Sequence, residues 1–368
     1  MIQSIADDED HMRHALRLAE RSLGCAAPNP AVGCVIVSGA GVVVGRGWTG
    51  LGGRPHAESR ALAQAGESAR GATAYVTLEP CAHFGVTPPC ADALIDVGIT
   101  RVVGAVVDPD ARVSGKGFAK LADAGVMVVQ GVCEREAREV NRGFFLCVEQ
   151  GRPLVALKSA ESADGYVSCE DAKERWITSE PARRHGHLLR AQHDAILVGI
   201  ETALADDPSL TCRLEGLENR TPLRIVLDSR LRLPVTSQLA QSATQYPVVV
   251  FTVTEKPRED LISKGVEVER VSADPGGRPD IGEVLRALAG RGITRLLVEG
   301  GPKMHSAFIA RNAVDVIYRY RAPKKLGRGF SSALNAILAS DGMTGSNMSL
   351  VETRMLGPDL LERFEAKV

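Results

Sequence analysis

The chain has 368 residues, 44% hydrophobic and 24% charged, which excludes extended disorder and, at roughly 150 residues per domain, points to two domains. Its formal net charge is −1 and no lysine- or arginine-rich run occurs, so a surface gripping nucleic acid through many phosphates is not expected. The eight cysteines are scattered, unlike a secreted disulfide framework, the N-terminus is acidic, and no apolar run approaches the ~20 residues of a bilayer span; the expectation is a soluble, cytoplasmic protein.

Met12, Ala15, Leu16, Ala19 and Leu23 recur at helical spacing and predict a first helix with one buried face. "VGCVIV" and "GVVVGRG", separated by "SGAG", read as a hairpin, because glycine supplies the positive φ of a tight turn. "AESRALAQAG" reads as a helix closed by Gly66, "ATAYVTL" as a buried strand, and "PPCADALIDVG" as a helix opened by proline and stopped by glycine. Strand "RVVGAVV", helix "GFAKLADAG", strand "VMVV" and a final helix through "CEREAREVNRGFFLCVEQ" follow. This alternation predicts an α/β layer fold, and the polar link "EQGRPLV" marks a boundary between domains 1–150 and 151–368. The second block repeats the alternation without repeating the sequence. Its strands are "LVALKSA", "AILVG", "LRIVLD", "YPVVVFTV", "RLLVEG" and "DVIYRYRA", and its helices are "SEPARRHGHLLRAQ", "IGEVLRALAG" and "GPKMHSAFIA".

The chemistry-bearing group of the first block is His56, Glu58, Cys81 and Cys90. One imidazole and two thiolates make a zinc donor set that leaves a fourth position for water. Cys90 stands at a predicted helix start, where the backbone dipole favours thiolate, and His56 follows Pro55 at another. Residues two apart diverge within a helix, so His56 and Glu58 converge only near a helix end; there Glu58 is a proton carrier beside the metal. Lone cysteines are more often small core residues, and a purely structural zinc site needs a fourth protein ligand, for which His83 is the nearest candidate; a substrate-facing or loop-fixing His83 is preferred. The H-x-E…P-C pattern resembles the signature of zinc nucleobase deaminases.

"PNPAVGCVIV", "PHAE", "TLEPCAHFGVTPPC", "LLRAQHDAILVG", "TALADDPSLTCR" and "VEGGP" stand in an order that closely resembles the bifunctional riboflavin-biosynthesis family, across essentially the whole chain. The resemblance implies a cytidine-deaminase-like α/β/α domain followed by a dihydrofolate-reductase-like α/β domain. It also implies one zinc ion on His56, Cys81 and Cys90, with Glu58 as proton carrier and Asn29 as a substrate contact. In the second domain it implies NADPH contacts from Ala160, Trp176, Thr202, Asp206, Ser229, Gly301, Pro302, Lys303, Met304, His305, Ser306 and Ala307. Substrate contacts would come from Glu174, Arg190, Leu210, Arg213 and Glu299. Unaided, Gly300 and Gly301 are a weak anion-site signal, no G-x-G-x-x-G fingerprint is present, and Trp176 reads equally as a core anchor. Arg190 and Arg213 offer forked donors suited to phosphate, although helix arginines more often pair with acids. Val86, Thr49, Asp110 and Glu174 depart from the family pattern, which has a basic residue, histidine, asparagine and serine there. The implied partner is a phosphoribosylaminopyrimidine, in a homo-oligomer. The alternative is an RNA-editing zinc deaminase with a C-terminal binding module, against which the net charge and the 4% aromatic content argue. No general acid for the reduction announces itself.

Overall fold

The computed structural model describes residues 5–84, 88–111, 114–168, 176–334 and 347–367. The chain forms two compact units, Met1–Arg152 and Pro153–Val368.

In the first unit α1 (Ile5–Glu20) precedes the hairpin β1 (Gly33–Val37) and β2 (Val43–Trp48), then α2 (Ala57–Ala65) and β3 (Thr73–Val76). After these come α3 (Cys90–Val97), β4 (Arg101–Gly104), α4 (Lys116–Asp123) and β5 (Met127–Gln130). The strand order is β2-β1-β3-β4-β5, with β1 antiparallel to both neighbours and β3, β4 and β5 parallel. Register decides the layers. Cys34 pairs with Gly47 and Ile36 with Gly45, so these four share one face, while Gly33 and Trp48 share the other. A Cβ on Gly47 would stand 1.9 Å from the Ala57 carbonyl of α2, and one on Gly33 would stand 1.8 Å from the Ala15 carbonyl of α1. The two helices therefore pack on opposite faces, each directly against strand backbone, and the sheet lies between them.

The predicted last helix is two: α5 (Glu134–Val140) and α6 (Arg142–Gln150). Asn141 breaks it. Its amide accepts from the Ala31 N–H at 2.8 Å and donates to the Ala31 carbonyl at 2.9 Å, a buried tertiary clamp that takes this residue out of helical geometry.

The second unit runs β6 (Leu154–Glu161), β7 (Tyr166–Ser168), α7 (Glu180–Ala191), β8 (Ala195–Gly199), α8 (Ile200–Asp206), β9 (Leu223–Leu227), α9 (Gln238–Gln241) and β10 (Val248–Thr252). It continues with α10 (Glu259–Ile262), β11 (Val266–Arg270), α11 (Ile281–Gly290), β12 (Arg295–Val298), α12 (Pro302–Ala310), β13 (Val316–Arg321), β14 (Phe330–Ser331), β15 (Met348–Leu356) and β16 (Asp359–Ala366). Among the described residues the main sheet has the order β11-β10-β9-β8-β12-β6-β13-β16-β15, and β7 pairs with β14 in a separate ribbon. The seven strands from β11 to β13 are parallel, and β16 and β15 close the edge antiparallel. Val155, Leu157, Leu197, Ile225, Phe251, Leu296 and Val298 pack with Val284, Leu285 and Leu288 of α11 and Phe308 of α12. Alternate side chains turn to the opposite face, where α7 lies against Tyr320 and Glu299. No helix among the described residues is long and apolar enough to cross a membrane.

Candidate active sites

His56 is the cap residue of α2, with extended backbone angles (φ −66°, ψ 158°), and Glu58 is the second residue of that helix. The departure from helical geometry at His56 allows two residues, which would diverge in mid-helix, to reach one place. Cys90 is the first residue of α3, after Pro89, and Cys81 lies in the loop that leaves the C-terminal end of β3. His56 Nδ1 stands 3.2 Å from Cys90 Sγ and 3.8 Å from Cys81 Sγ, and the Cys90 N–H donates to Cys81 Sγ at 3.3 Å. The three ligand atoms lie within 4.8 Å of one another, the one such metal-ready group among the described residues, and neither Glu58 nor His83 belongs to it.

The donor chemistry fits zinc. The hydrogen bond from Cys90 pulls the Cys81 thiol down to about 4, helped by His56, while the same contact with burial pushes Cys90 up. Two thiols so packed share one proton unequally, and a dication held there would take the place of that proton. The hydrogen bond to Cys81 raises His56. Glu58 is buried, and desolvation pushes its carboxyl up against the pull of His56. A buried carboxyl that holds its proton more tightly than usual suits a group that must accept and release protons.

Around this cluster, Asn29 packs against Gly53, where a Cβ would fall 1.9 Å from Asn29 Nδ2, and that nitrogen donates to the Gly52 carbonyl at 3.4 Å. His83 is exposed. Thr49 is turned inward: its hydroxyl accepts from the Val32 N–H at 2.9 Å and donates to the Pro30 carbonyl at 3.0 Å, so it braces the Asn29–Pro30 turn. The Asp110 N–H donates to the Asp108 carboxylate at 2.9 Å. Val86 and Glu174 lie outside the described residues.

In the second unit the expected residues gather at the C-terminal ends of parallel strands, the edge at which open α/β sheets bind ligands. Ala160 is on β6, Thr202 and Asp206 are in α8 after β8, Ser229 follows β9, and Glu299 to Ala307 follow β12. Gly301 caps α12, and nothing would approach a Cβ there closer than Thr202 Oγ1 at 3.9 Å. Gly300 is needed for packing, because a Cβ would meet the Met304 side chain at 2.5 Å. The result is a roomy helix N-terminus beside a hydroxyl, suited to a dinucleotide phosphate. His305 faces inward, held down to about 4 by burial and the Lys158 charge, whereas Lys303 and Ser306 are exposed. Trp176 is 51% exposed with Arg183 stacked over it at 5.1 Å, which rules out the core-anchor reading.

Arg190, Leu210, Arg213 and Glu299 are brought together. Arg190 donates to both oxygens of Glu299 at 2.8 and 3.0 Å and to the Thr211 carbonyl at 3.0 Å. The arginine expected on phosphate is thus paired with the acid expected on substrate. Leu210 is buried at φ 55°, a left-handed conformation uncommon for leucine. The Arg213 N–H donates to His187 Nδ1 at 3.3 Å, and His187 is pressed to about 4 by burial and the two arginines. Two members of this cleft carried no sequence signal: His187, and Lys158, whose ammonium lies 3.9 Å from Glu299 and whose pKa is lowered by burial.

Together the units define a class, a zinc-type deaminase joined in one chain to a reductase. The family model for the cytidine and deoxycytidylate deaminase zinc-binding region matches residues 5–106, and that for the RibD C-terminal domain matches residues 153–361. The riboflavin biosynthesis protein RibD of Aquifex aeolicus is 43% identical over 366 residues, 99% of each chain. That of Escherichia coli is 39% identical over 369 residues, 96% of this chain and 98% of the other. The RibD structure from Acinetobacter baumannii (form 1) aligns with a TM-score of 0.85 at 36% identity over 99% of both chains. A diaminohydroxyphosphoribosylaminopyrimidine deaminase/5-amino-6-(5-phosphoribosylamino)uracil reductase from Thermotoga maritima aligns with a TM-score of 0.85 at 33% identity, over 98% of this chain and 99% of that one. The chain belongs to the RibD family of riboflavin-biosynthesis enzymes. It is a bifunctional deaminase and reductase, and its second half is a reductase domain, which leaves the RNA-editing alternative without support.

Proposed function

We propose that the first unit hydrolytically deaminates 2,5-diamino-6-(5-phosphoribosylamino)pyrimidin-4-one 5′-phosphate. The second unit then reduces the ribosyl side chain with NADPH to give 5-amino-6-(5-phosphoribitylamino)uracil. The observation that carries the reading is the convergence of His56, Cys81 and Cys90 within 4.8 Å, with the buried Glu58 two residues from His56 and outside the ligand set.

His56, Cys81 and Cys90 would hold one zinc ion, which when bound acidifies water and so supplies a nucleophile near neutral pH. Glu58 does the proton work: its carboxylate takes one proton from water and passes it to a pyrimidine ring nitrogen. It then takes the second from the hydroxyl newly bonded to the ring carbon and delivers it to the amino nitrogen, which leaves as ammonia as the carbonyl forms. Asn29 orients the ring and His83 lines the approach.

In the second unit Ala160, Trp176, Thr202, Asp206, Ser229 and the start of α12 from Gly301 would hold NADPH, which supplies hydride. Arg190 keeps Glu299 ionised and immobile. Glu299 and Lys158 then meet the sugar from one side as acceptor and donor, and Leu210 and Arg213 complete the substrate wall. Glu174 remains a proposed substrate contact.

The substrate is a small molecule, with neither nucleic acid nor membrane as partner, in keeping with the net charge of −1. The working compartment is the cytoplasm, in keeping with cysteines scattered unlike a secreted disulfide framework. The assembly is a homo-oligomer, as the family resemblance implies, which sedimentation tests. The decisive experiment gives purified protein the diamino substrate and NADPH, following ammonia release and nicotinamide absorbance. Ammonia without NADPH oxidation would overturn the reductase half, and neither signal would overturn both.

A further inference from the structure

Glu79 stands two residues before Cys81 and is buried, and its carboxylate is bound by the start of α4. Its carboxylate accepts three backbone N–H groups: Gly117 on one oxygen at 2.7 Å, and Gly115 at 2.8 Å and Asp108 at 3.2 Å on the other. Two of the three belong to the start of α4, whose cap residue is Gly115 and has no side chain to cap with. A carboxylate 36 residues earlier in the chain supplies that cap, where the helix dipole favours negative charge.

The same joint is closed from the other side. A Cβ on Gly117 would stand 1.9 Å from the Pro80 carbonyl, so α4 begins in contact with the peptide that precedes Cys81. Further along, Lys120 of α4 is ion-paired with Asp92 of α3, two residues after Cys90. Helix α4 therefore touches both thiolate-bearing segments: the Cys81 loop through Glu79 and Gly117, and the start of α3 through Lys120 and Asp92.

We propose that Glu79 is a positioning residue for the metal centre. By capping α4 it fixes the Cys81 loop against the helix that braces Cys90, and so sets the separation of the two sulfurs. This rests on the reading that zinc is held by His56, Cys81 and Cys90. No proton transfer is asked of Glu79; what matters is that both its oxygens accept from backbone N–H donors, a condition an amide cannot meet. In Glu79→Gln one N–H of the new side chain must face a backbone N–H.

The test is zinc affinity of the full-length protein, measured by competition with a chromophoric chelator, with the visible spectrum of the cobalt-substituted protein as a report on ligand geometry. Glu79→Gln is expected to weaken zinc binding about 10–100-fold and to shift the cobalt bands, while NADPH oxidation on the deaminated pyrimidine stays at the wild-type rate. Glu79→Asp, which keeps the charge but shortens the reach, is expected to recover part of the affinity. An unchanged affinity and cobalt spectrum in Glu79→Gln, whatever its melting temperature, would overturn the proposal and leave Glu79 a stability residue only. Should that variant fail to fold, Gly117→Ala disturbs the same joint from the α4 side and is read by the same two measurements. A wild-type protein that binds no zinc would instead overturn the functional reading beneath it.

Discussion

Arg190 and Glu299 hold each other through two parallel hydrogen bonds of 2.8 and 3.0 Å, across 109 residues of sequence, at the mouth of the second unit's sheet. Both are largely buried, with 15% and 11% of their side chains exposed. Removing one partner of such a pair strands the other charge without water. Arg190→Met is therefore expected to destabilise the second unit by about 3–5 kcal/mol in urea unfolding and to abolish NADPH oxidation, leaving ammonia release by the first unit in place. Equal loss of both activities would show that the pair matters to more than its own unit.

The same pair predicts an acid limit. Burial alone would raise the Glu299 carboxyl, but Arg190 and Lys158 overrule it and hold the group near about 2, below its ordinary 4.5. A depressed folded-state pKa gives stability that is complete above the ordinary value and fades as pH falls toward the depressed one. The second unit should therefore lose stability steeply between pH 4.5 and 2, and Glu299→Gln should flatten that part of the curve. Circular dichroism melts across this range check it; parallel slopes in the two proteins would assign the acid sensitivity to other groups.

Glu58→Gln separates proton carrier from ligand. Ammonia release should fall by about 10²–10⁴ while the zinc content of the protein and its reductase rate stay unchanged. Metal analysis of the purified variant is the deciding measurement, because zinc lost together with activity would make Glu58 a ligand.

The zinc cluster was legible because its members sit where local sequence rules are strongest. His56 and Cys90 each follow a proline and open a helix, and the strand, helix and glycine signals around them need no tertiary information. What escaped was decided by distant partners. Asn141 looked like one more residue of a long helix until Ala31, 110 positions away, claimed its amide. The hairpin of β15 and β16 carries mixed polarity along its edge strand, where Leu350, Val351 and Met355 are exposed, so neither helical nor strand period stands out. Lys158 is a single cation in a buried strand, and its meaning comes only from Glu299, which lies on β12's extension. Arg190 and Glu299 were both expected in the reductase cleft, but nothing in the sequence says that they would bind each other.

Gly47 gives a last prediction, on a residue that touches no ligand. In β2 it lies under the start of α2, and an added Cβ would stand 1.9 Å from the Ala57 carbonyl and 2.7 Å from the Ala61 nitrogen. These are backbone atoms, which cannot swing aside, so the helix start must lift. Ala57 lies between His56 and Glu58, and lifting it moves both relative to the cysteines. Gly47→Ala should destabilise the first unit by about 1–3 kcal/mol and weaken zinc binding along with it. Gly186→Ala, the same change within α7, meets no atom within 4 Å and should be neutral or slightly stabilising, because alanine is the better helix former. Urea unfolding and zinc titration of the two variants side by side check the contrast, and a Gly47→Ala protein with wild-type zinc affinity would show that α2 can shift without disturbing the metal cluster.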